Sequence, residues 1–74
     1  MRVTRSYLNH DGSSRVDILQ RADGTFGFEQ FNYLAEENAW VPQWRQMISV
    51  LDSEETAIRE AKSRIAWLDG GSVV

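Results

Sequence analysis

The chain has 74 residues, of which 42% are hydrophobic, and a formal net charge of −3 at pH 7. A chain this short buries about 60% of its unfolded surface, so we expect one domain, 1–74, with a small core. The absence of cysteine excludes disulfides, thiolate catalysis and cysteine-ligated zinc. The acidic balance argues against nucleic acid and anionic membranes as partners. Without a signal-peptide or membrane-spanning run, we expect a soluble, cytoplasmic protein with no membrane contact.

The first segment, residues 2–8, alternates Val3, Arg5 and Tyr7 with polar side chains. This pattern predicts an edge strand on which arginine discourages further pairing, and the alternative is a frayed terminus. Residues 9–14 are turn-forming throughout.

Two strand-like segments, residues 15–21 and 25–33, flank the tripeptide Ala22-Asp23-Gly24. This tripeptide suits a type I turn closed by a left-handed glycine bulge. The resulting register places Ile18 opposite Phe28. A two-residue Asp-Gly loop would split the apolar side chains between both faces, so we predict the bulged register.

The bulged register divides the two strands into an apolar face and a mixed face. The apolar face carries Val16, Ile18, Phe26 and Phe28, with Gln20 opposite Phe26. The mixed face carries Asp17, Leu19, Gly27, Glu29, Phe31 and Tyr33.

Residues 34–43 are acidic and turn-rich, and Pro42 cannot donate to a sheet, so we predict a loop. Alternation resumes over residues 44–51, which predicts the third strand of a meander. Its apolar set is Trp44, Ile48 and Val50.

Residues 52–68 predict the one long helix. Asp52 or Ser53 can cap its first turn, and Glu55 would complete a capping box with Asp52. Acidic side chains lie near the start and basic ones near the end, as the helix dipole favours. The glycine pair 70–71 can close the helix, and we expect a flexible tail over 70–74.

At about 100° per residue the helix gathers an apolar stripe, while Trp67 falls off it. The stripe consists of Ile58, Ala61, Ile65 and Leu68, with Ala57 at its margin. We therefore predict an α+β fold, in which a three- or four-stranded antiparallel meander carries one C-terminal helix packed on one face. The predicted core is Val16, Ile18, Phe26, Phe28, Trp44, Ile48, Val50, Ile58, Ala61, Ile65 and Leu68.

No motif indicates catalysis. The single histidine, His10, lies in a turn beside Asp11 with no nucleophile or second ligand to work with. The acids Asp52, Glu54 and Glu55 lack the ligand spacing of a calcium loop, and helix capping accounts for them. We predict no enzyme activity, no metal site and no cofactor.

The aromatic side chains outnumber the places in so small a core. The candidate protein-binding residues are Phe31, Tyr33, Trp40 and Trp67. We predict a homodimer with Trp40 or Trp67 near its two-fold axis, or binding of another protein. The alternative is that the tryptophans cover the sheet's open end and edge. Base stacking beside Arg15, Arg21 and Arg45 is disfavoured by the acidic charge.

The order strand, Asp-Gly turn, strand, strand and then a helix beginning Ser53-Glu54-Glu55-Thr56-Ala57-Ile58 resembles two groups of small bacterial proteins. One is the HicB-like antitoxin partial domain, and the other is the YegP-like set of β-β-β-α proteins. The resemblance covers roughly residues 15–68. We expect a small non-catalytic protein-interaction or structural domain of bacterial type, with a HicB-like antitoxin or nucleic-acid-associated regulatory module as the alternative. The chain lacks the proline-glycine segment expected before the third HicB-like strand, and it lacks a DNA-binding extension. The resemblance therefore implies no transcriptional role and no functional residue.

Overall fold

A computed structural model, which describes residues 1–42, 50–70 and 72–73, shows one antiparallel sheet with a helix on one face. The strands are β1 (Arg2–Leu8), β2 (Ser14–Gln20), β3 (Phe26–Leu34), β4 (Ala39–Pro42) and β5 (Ser72–Val73). Helix α1 spans Glu54–Arg64 and leads into a 3-10 helix, Ala66–Gly70. The strand order is β4-β3-β2-β1-β5, so β1 to β4 form a meander and β5 pairs with β1. The predicted α+β fold is confirmed.

The β2–β3 hairpin has the predicted bulged register. Ile18 pairs with Phe28 and Gln20 pairs with Phe26. Gly24 has a φ of 89°, and its N–H donates to the carbonyl three residues before it. A side chain at Gly24 would disfavour this left-handed conformation, so local turn chemistry and the apolar pattern select the same register.

The core lies between α1 and the β2–β3 hairpin. Its members are Tyr7, Val16, Ile18, Phe28, Ala57, Ala61, Ile65 and Leu68, with Phe26, Leu51, Ile58 and Trp67 packed against it. The predicted apolar face and helical stripe therefore meet as expected. Tyr7 is an addition to the predicted set, and Ala57 is fully buried where the helical pattern put it at the margin.

Val50, predicted in the core, has a relative exposure of 71%, so that prediction is wrong. The adjacent Leu51 instead exchanges backbone hydrogen bonds of 2.7 and 2.8 Å with Phe26 and packs against the core. Since neighbouring residues of an extended chain point in opposite directions, Val50 turns to solvent. Trp44 and Ile48 lie outside the described residues.

Strand β1 contains a bulge that simple alternation does not reveal. The register shifts between Val3 and Arg5. Tyr7 pairs with Val16 on the helix side, whereas Val3 pairs with Leu19 on the other face. The predicted grouping of Val3 with Arg5 and Tyr7 is wrong because one extra residue reverses the side on which the next side chains point.

Residues 34–43, predicted as a loop, contain β4. Ala39–Pro42 pairs with β3 and places Trp40 opposite Tyr33. The acidic segment before β4 is a tight turn that ends at Asn38, which has a φ of 51°. Asparagine tolerates this left-handed conformation, so the chain reverses without glycine, and the loop prediction is wrong over β4.

Helix α1 is capped by Ser53, whose Oγ accepts a hydrogen bond of 3.1 Å from the Thr56 N–H. Ser53 was one of two predicted caps. With Ser53 as the cap, the third helical residue is Thr56, so the predicted capping box between Asp52 and Glu55 does not form. The acidic first turn and basic last turn agree with the helix dipole.

The helix ends at Arg64, four residues before the predicted end at Leu68. Ile65 adopts an extended backbone, and the following 3-10 helix redirects the chain. Ile65 and Leu68 remain buried, and Trp67 packs against the core instead of pointing away from it. Covering part of this large ring offsets helical hydrogen bonds that the early ending gives up.

Candidate functional site

The sheet face opposite α1 carries a group of large side chains brought together by strand register. Arg15 of β2 lies opposite Phe31 of β3. Two residues further along β3, Tyr33 lies opposite Trp40 of β4. Because alternate residues of a strand share a face, these four side chains are neighbours on one surface. We call Arg15, Phe31, Tyr33 and Trp40 the aromatic cluster.

Arg15 is stacked between two rings. Its Cζ atom lies 4.6 Å from the centroid of the Phe31 ring and 4.8 Å from that of Trp40. Its Nε lies 3.2 Å from an Asp17 carboxylate oxygen, a charge contact without the alignment of a hydrogen bond. The same oxygen accepts a 2.7 Å hydrogen bond from Ser6 Oγ. Two rings and an anchored carboxylate therefore fix the position of the guanidinium.

Tyr33 and Trp40 form an edge-to-face pair, with ring centroids 5.4 Å apart and an interplanar angle of 65°. The Tyr33 hydroxyl donates to the side-chain oxygen of Asn38 in the adjacent turn. Such a ring pair contributes roughly 0.5–1.5 kcal/mol beyond burial. Tyr33 is nevertheless 37% exposed, so the cluster is ordered and accessible to a partner.

The β3–β4 hairpin exposes apolar side chains on its other face as well. Val41 and Leu34, one residue from Trp40 and Tyr33 respectively, point to the helix side of the sheet. Their relative exposures are 38% and 44%. Exposed apolar surface on both faces of one hairpin is a typical sign of an interaction surface.

Three of the four predicted interface residues, Phe31, Tyr33 and Trp40, lie together, whereas Trp67 packs against the core on the opposite face. Sequence reasoning considered Arg15 only for nucleic-acid binding. A usable signal existed, since the predicted β2–β3 register already places Arg15 opposite Phe31. The position of Trp40 had no such signal, because β4 was predicted as a loop.

The other two arginines considered for base stacking are not part of the described cluster. Arg21 follows the last residue of β2 and lies six residues from Arg15, a distance of about 20 Å. Its Nη1 donates a 3.1 Å hydrogen bond to the Phe26 carbonyl. Arg45 lies outside the described residues. On the cluster face, Arg15 is accompanied by the acids Asp17 and Glu29, which pair across β2 and β3.

The Asp-Gly turns have a structural role. His10 is exposed, and the neighbouring Asp11 carboxylate accepts hydrogen bonds of 2.6 and 3.0 Å from the Ser13 hydroxyl and N–H. These bonds hold the pKa of Asp11 below its ordinary value, the hydroxyl contributing most. Asp23 makes the same two bonds with Thr25, and its pKa is lowered chiefly by the backbone N–H.

Residues 1–42, 50–70 and 72–73 show no pocket and no group of three or more metal-ligating side chains. Within that part of the chain, no helix has the length and apolar character needed to cross a membrane.

The chain matches no protein-family model, no curated protein and no solved structure. The HicB-like and YegP-like resemblances therefore stay sequence-based predictions. The aromatic cluster and the hairpin that carries most of it are the features of the described structure that bear on function.

Proposed function

We propose that this protein is a non-catalytic protein-interaction domain that binds its partner through the aromatic cluster and the exposed end of the β3–β4 hairpin. The observation that carries the proposal is the stacking of Arg15 between Phe31 and Trp40, with Tyr33 packed on Trp40. The cytoplasmic location predicted from the sequence is part of the proposal.

The composition and order of the cluster support a protein partner. Tyrosine, tryptophan and arginine are the residues most enriched among those that dominate binding energy at protein interfaces. Here the Arg15 side chain and the Tyr33 ring are already held by contacts with Asp17 and Asn38. Binding would therefore cost less side-chain entropy in this protein than it would if these side chains were flexible.

Nucleic-acid binding is the competing function, because arginine beside aromatic rings can also stack bases. The charge of the cluster face favours a protein. Asp17 and Glu29 accompany Arg15 there, and the whole chain carries −3. A phosphate backbone would meet more negative than positive charge among these three side chains. A HicB-like, nucleic-acid-associated role is therefore the alternative that a binding experiment has to exclude.

Photo-crosslinking in the native host tests the proposal. A benzoyl-phenylalanine at Tyr33 reports on the cluster, and the same group at Arg59, an exposed position on α1, is the matched control. We expect protein adducts from position 33 and few from position 59. Equal yields at both positions, or no adduct at position 33, would refute the proposal.

A binding titration with single- and double-stranded oligonucleotides separates the competing function. We expect no saturable binding in 150 mM salt. Binding that weakens steeply with salt and is lost in Arg15→Gln would replace the proposal with the nucleic-acid function.

A further inference from the structure

The geometry points to a second copy of this chain as the partner. We propose that β4 pairs with β4 of another copy, antiparallel and about a two-fold axis at Trp40. This inference rests on the proposed function and names the occupant of its surface. Four features support it: the contrast between the two sheet edges, the direction of the β4 backbone groups, the position of Pro42, and the side chains on each face.

The two edges of the sheet differ in how they are protected. The β1 edge carries Arg2 and Arg5, has a bulge between Val3 and Arg5, and is partly covered by β5. These are common devices against unwanted strand pairing. The β4 edge, Ala39–Pro42, carries no charged residue, and its one such device is the terminal Pro42. The β4 edge is therefore the one open to a partner strand.

The direction of the β3 backbone shows which β4 groups are free. The Tyr33 N–H donates a 2.8 Å hydrogen bond to the Ser13 carbonyl, on the β2 side of the strand. Since backbone groups alternate in direction along a strand, those of Asn32 and Leu34 point towards β4.

On β4, the residues opposite Asn32 and Leu34 are Val41 and Ala39. Their backbone groups are therefore used within the hairpin. Those of Trp40 and Pro42 point away from the sheet. In the described part of the chain no strand lies beyond β4, so within that part the Trp40 N–H and carbonyl face no other strand.

A two-fold axis at Trp40 makes this edge complementary to itself. The Trp40 N–H of each copy donates to the Trp40 carbonyl of the other, which gives two hydrogen bonds. Pro42, which has no N–H, falls opposite Asn38 of the other copy. The Asn38 N–H already donates to the Ala35 carbonyl at 3.2 Å. The hydrogen-bond ladder therefore ends without an unpaired backbone N–H on either copy, which favours a second copy over an unrelated strand.

The side chains are complementary on both faces of the extended sheet. On the cluster face, the two Trp40 rings become neighbours and join the two aromatic clusters into one row. On the helix side, Val41 falls opposite Ala39 of the other copy, twice by symmetry. Each exposed valine thereby meets a small side chain at close strand spacing.

Sedimentation of the full chain tests the pairing. Four-residue edges make a small interface, so we expect a weak dimer with a Kd of about 10–500 µM. Val41→Lys and Val3→Lys are a matched pair, because both replace an exposed valine, one on the β4 edge and one on the part of β1 that β5 does not cover. We expect Val41→Lys to raise the Kd by about tenfold or more and Val3→Lys to leave it unchanged. Circular dichroism of both variants checks that each remains folded.

Disulfide trapping tests the register, and the chain suits it because it contains no cysteine. Opposed residues in the proposed pairing have Cα atoms about 4.5–5.5 Å apart, within disulfide range. Two copies of Ala39 would lie about 8 Å apart, too far to bridge. A mixture of Ala39→Cys and Val41→Cys chains should therefore oxidise mainly to the mixed dimer.

Three results would overturn the inference: a wild-type chain that is monomeric at about 1 mM, equal effects of the two lysine variants, or Ala39→Cys homodimers that exceed the mixed dimer. A monomeric chain that still gives protein adducts at Tyr33 would leave the proposed function standing with a different protein as partner. Adducts of twice the chain mass, together with the mixed disulfide, support the second copy.

Discussion

Replacing Ile65 with alanine removes three carbon atoms from the buried core between helix and sheet. Ile65 is 3% exposed and belongs to the core cluster at the point where α1 ends. Three buried carbons correspond to about 2.4 kcal/mol of transfer free energy. A residual cavity of about 40 Å³ adds about 1 kcal/mol. We expect the free energy of unfolding to fall by about 3–4 kcal/mol.

Urea unfolding followed by far-UV circular dichroism measures this loss. A domain of 74 residues has a typical stability of about 4–11 kcal/mol. With a denaturant slope of about 1 kcal/mol/M, the unfolding midpoint should drop by about 3 M. If the alanine variant is unfolded without urea, Ile65→Val, with an expected loss of about 0.5–1.5 kcal/mol, gives the measurable step.

Val50→Ala is the control. Val50 is 71% exposed although its sequence pattern predicts a core position, so its truncation should change stability by less than about 0.5 kcal/mol. A loss below 1 kcal/mol for Ile65→Ala, or equal losses at the two positions, would refute the placement of the core.

Three further predictions concern the cap, one turn and acid stability. Ser53→Ala should cost about 0.5–2 kcal/mol in urea unfolding and Asp52→Ala much less, because Ser53 accepts the first-turn hydrogen bond. Gly24→Ala should cost about 1–2 kcal/mol by the same assay, since φ is 89° and the space for a Cβ is open, so the loss is conformational. The Asp11 and Asp23 carboxylates have folded-state pKa values below the ordinary 3.8. Their contribution to the free energy of unfolding is therefore present above pH 3.8 and is lost as pH falls through the lower folded values. In the double variant Asp11→Asn/Asp23→Asn, urea unfolding at a series of acidic pH values should lack this part of the pH dependence.

The sequence alone was sufficient where neighbouring residues decide the structure. The β2–β3 register follows from Gly24 in its turn and from the apolar set that includes Ile18 and Phe28. Helix α1 follows from its cap and from apolar spacing, so that Ala61 and Ile65 meet the sheet. In both elements the local preference and the buried face agree, and such agreement makes a pattern predictive.

Pairing between distant segments decided the features that the sequence missed. The bulge between Val3 and Arg5 becomes visible only when β1 is set against β2, and it selects Tyr7 for the core. The helix stops at Arg64, and the 3-10 helix that follows brings Trp67 against the core, so distant packing outweighs four more residues of helical pattern.

The aromatic cluster combines both kinds of information. The local register already placed Arg15 opposite Phe31. Trp40 arrives only through β4, a four-residue strand whose short turn at Asn38 lacks the glycine that usually marks a hairpin. Strand propensity over so few residues is weak compared with the pairing energy that β3 supplies. The sequence therefore determined the platform of the candidate site, and the tertiary pairing of β4 decided which aromatic ring completes it.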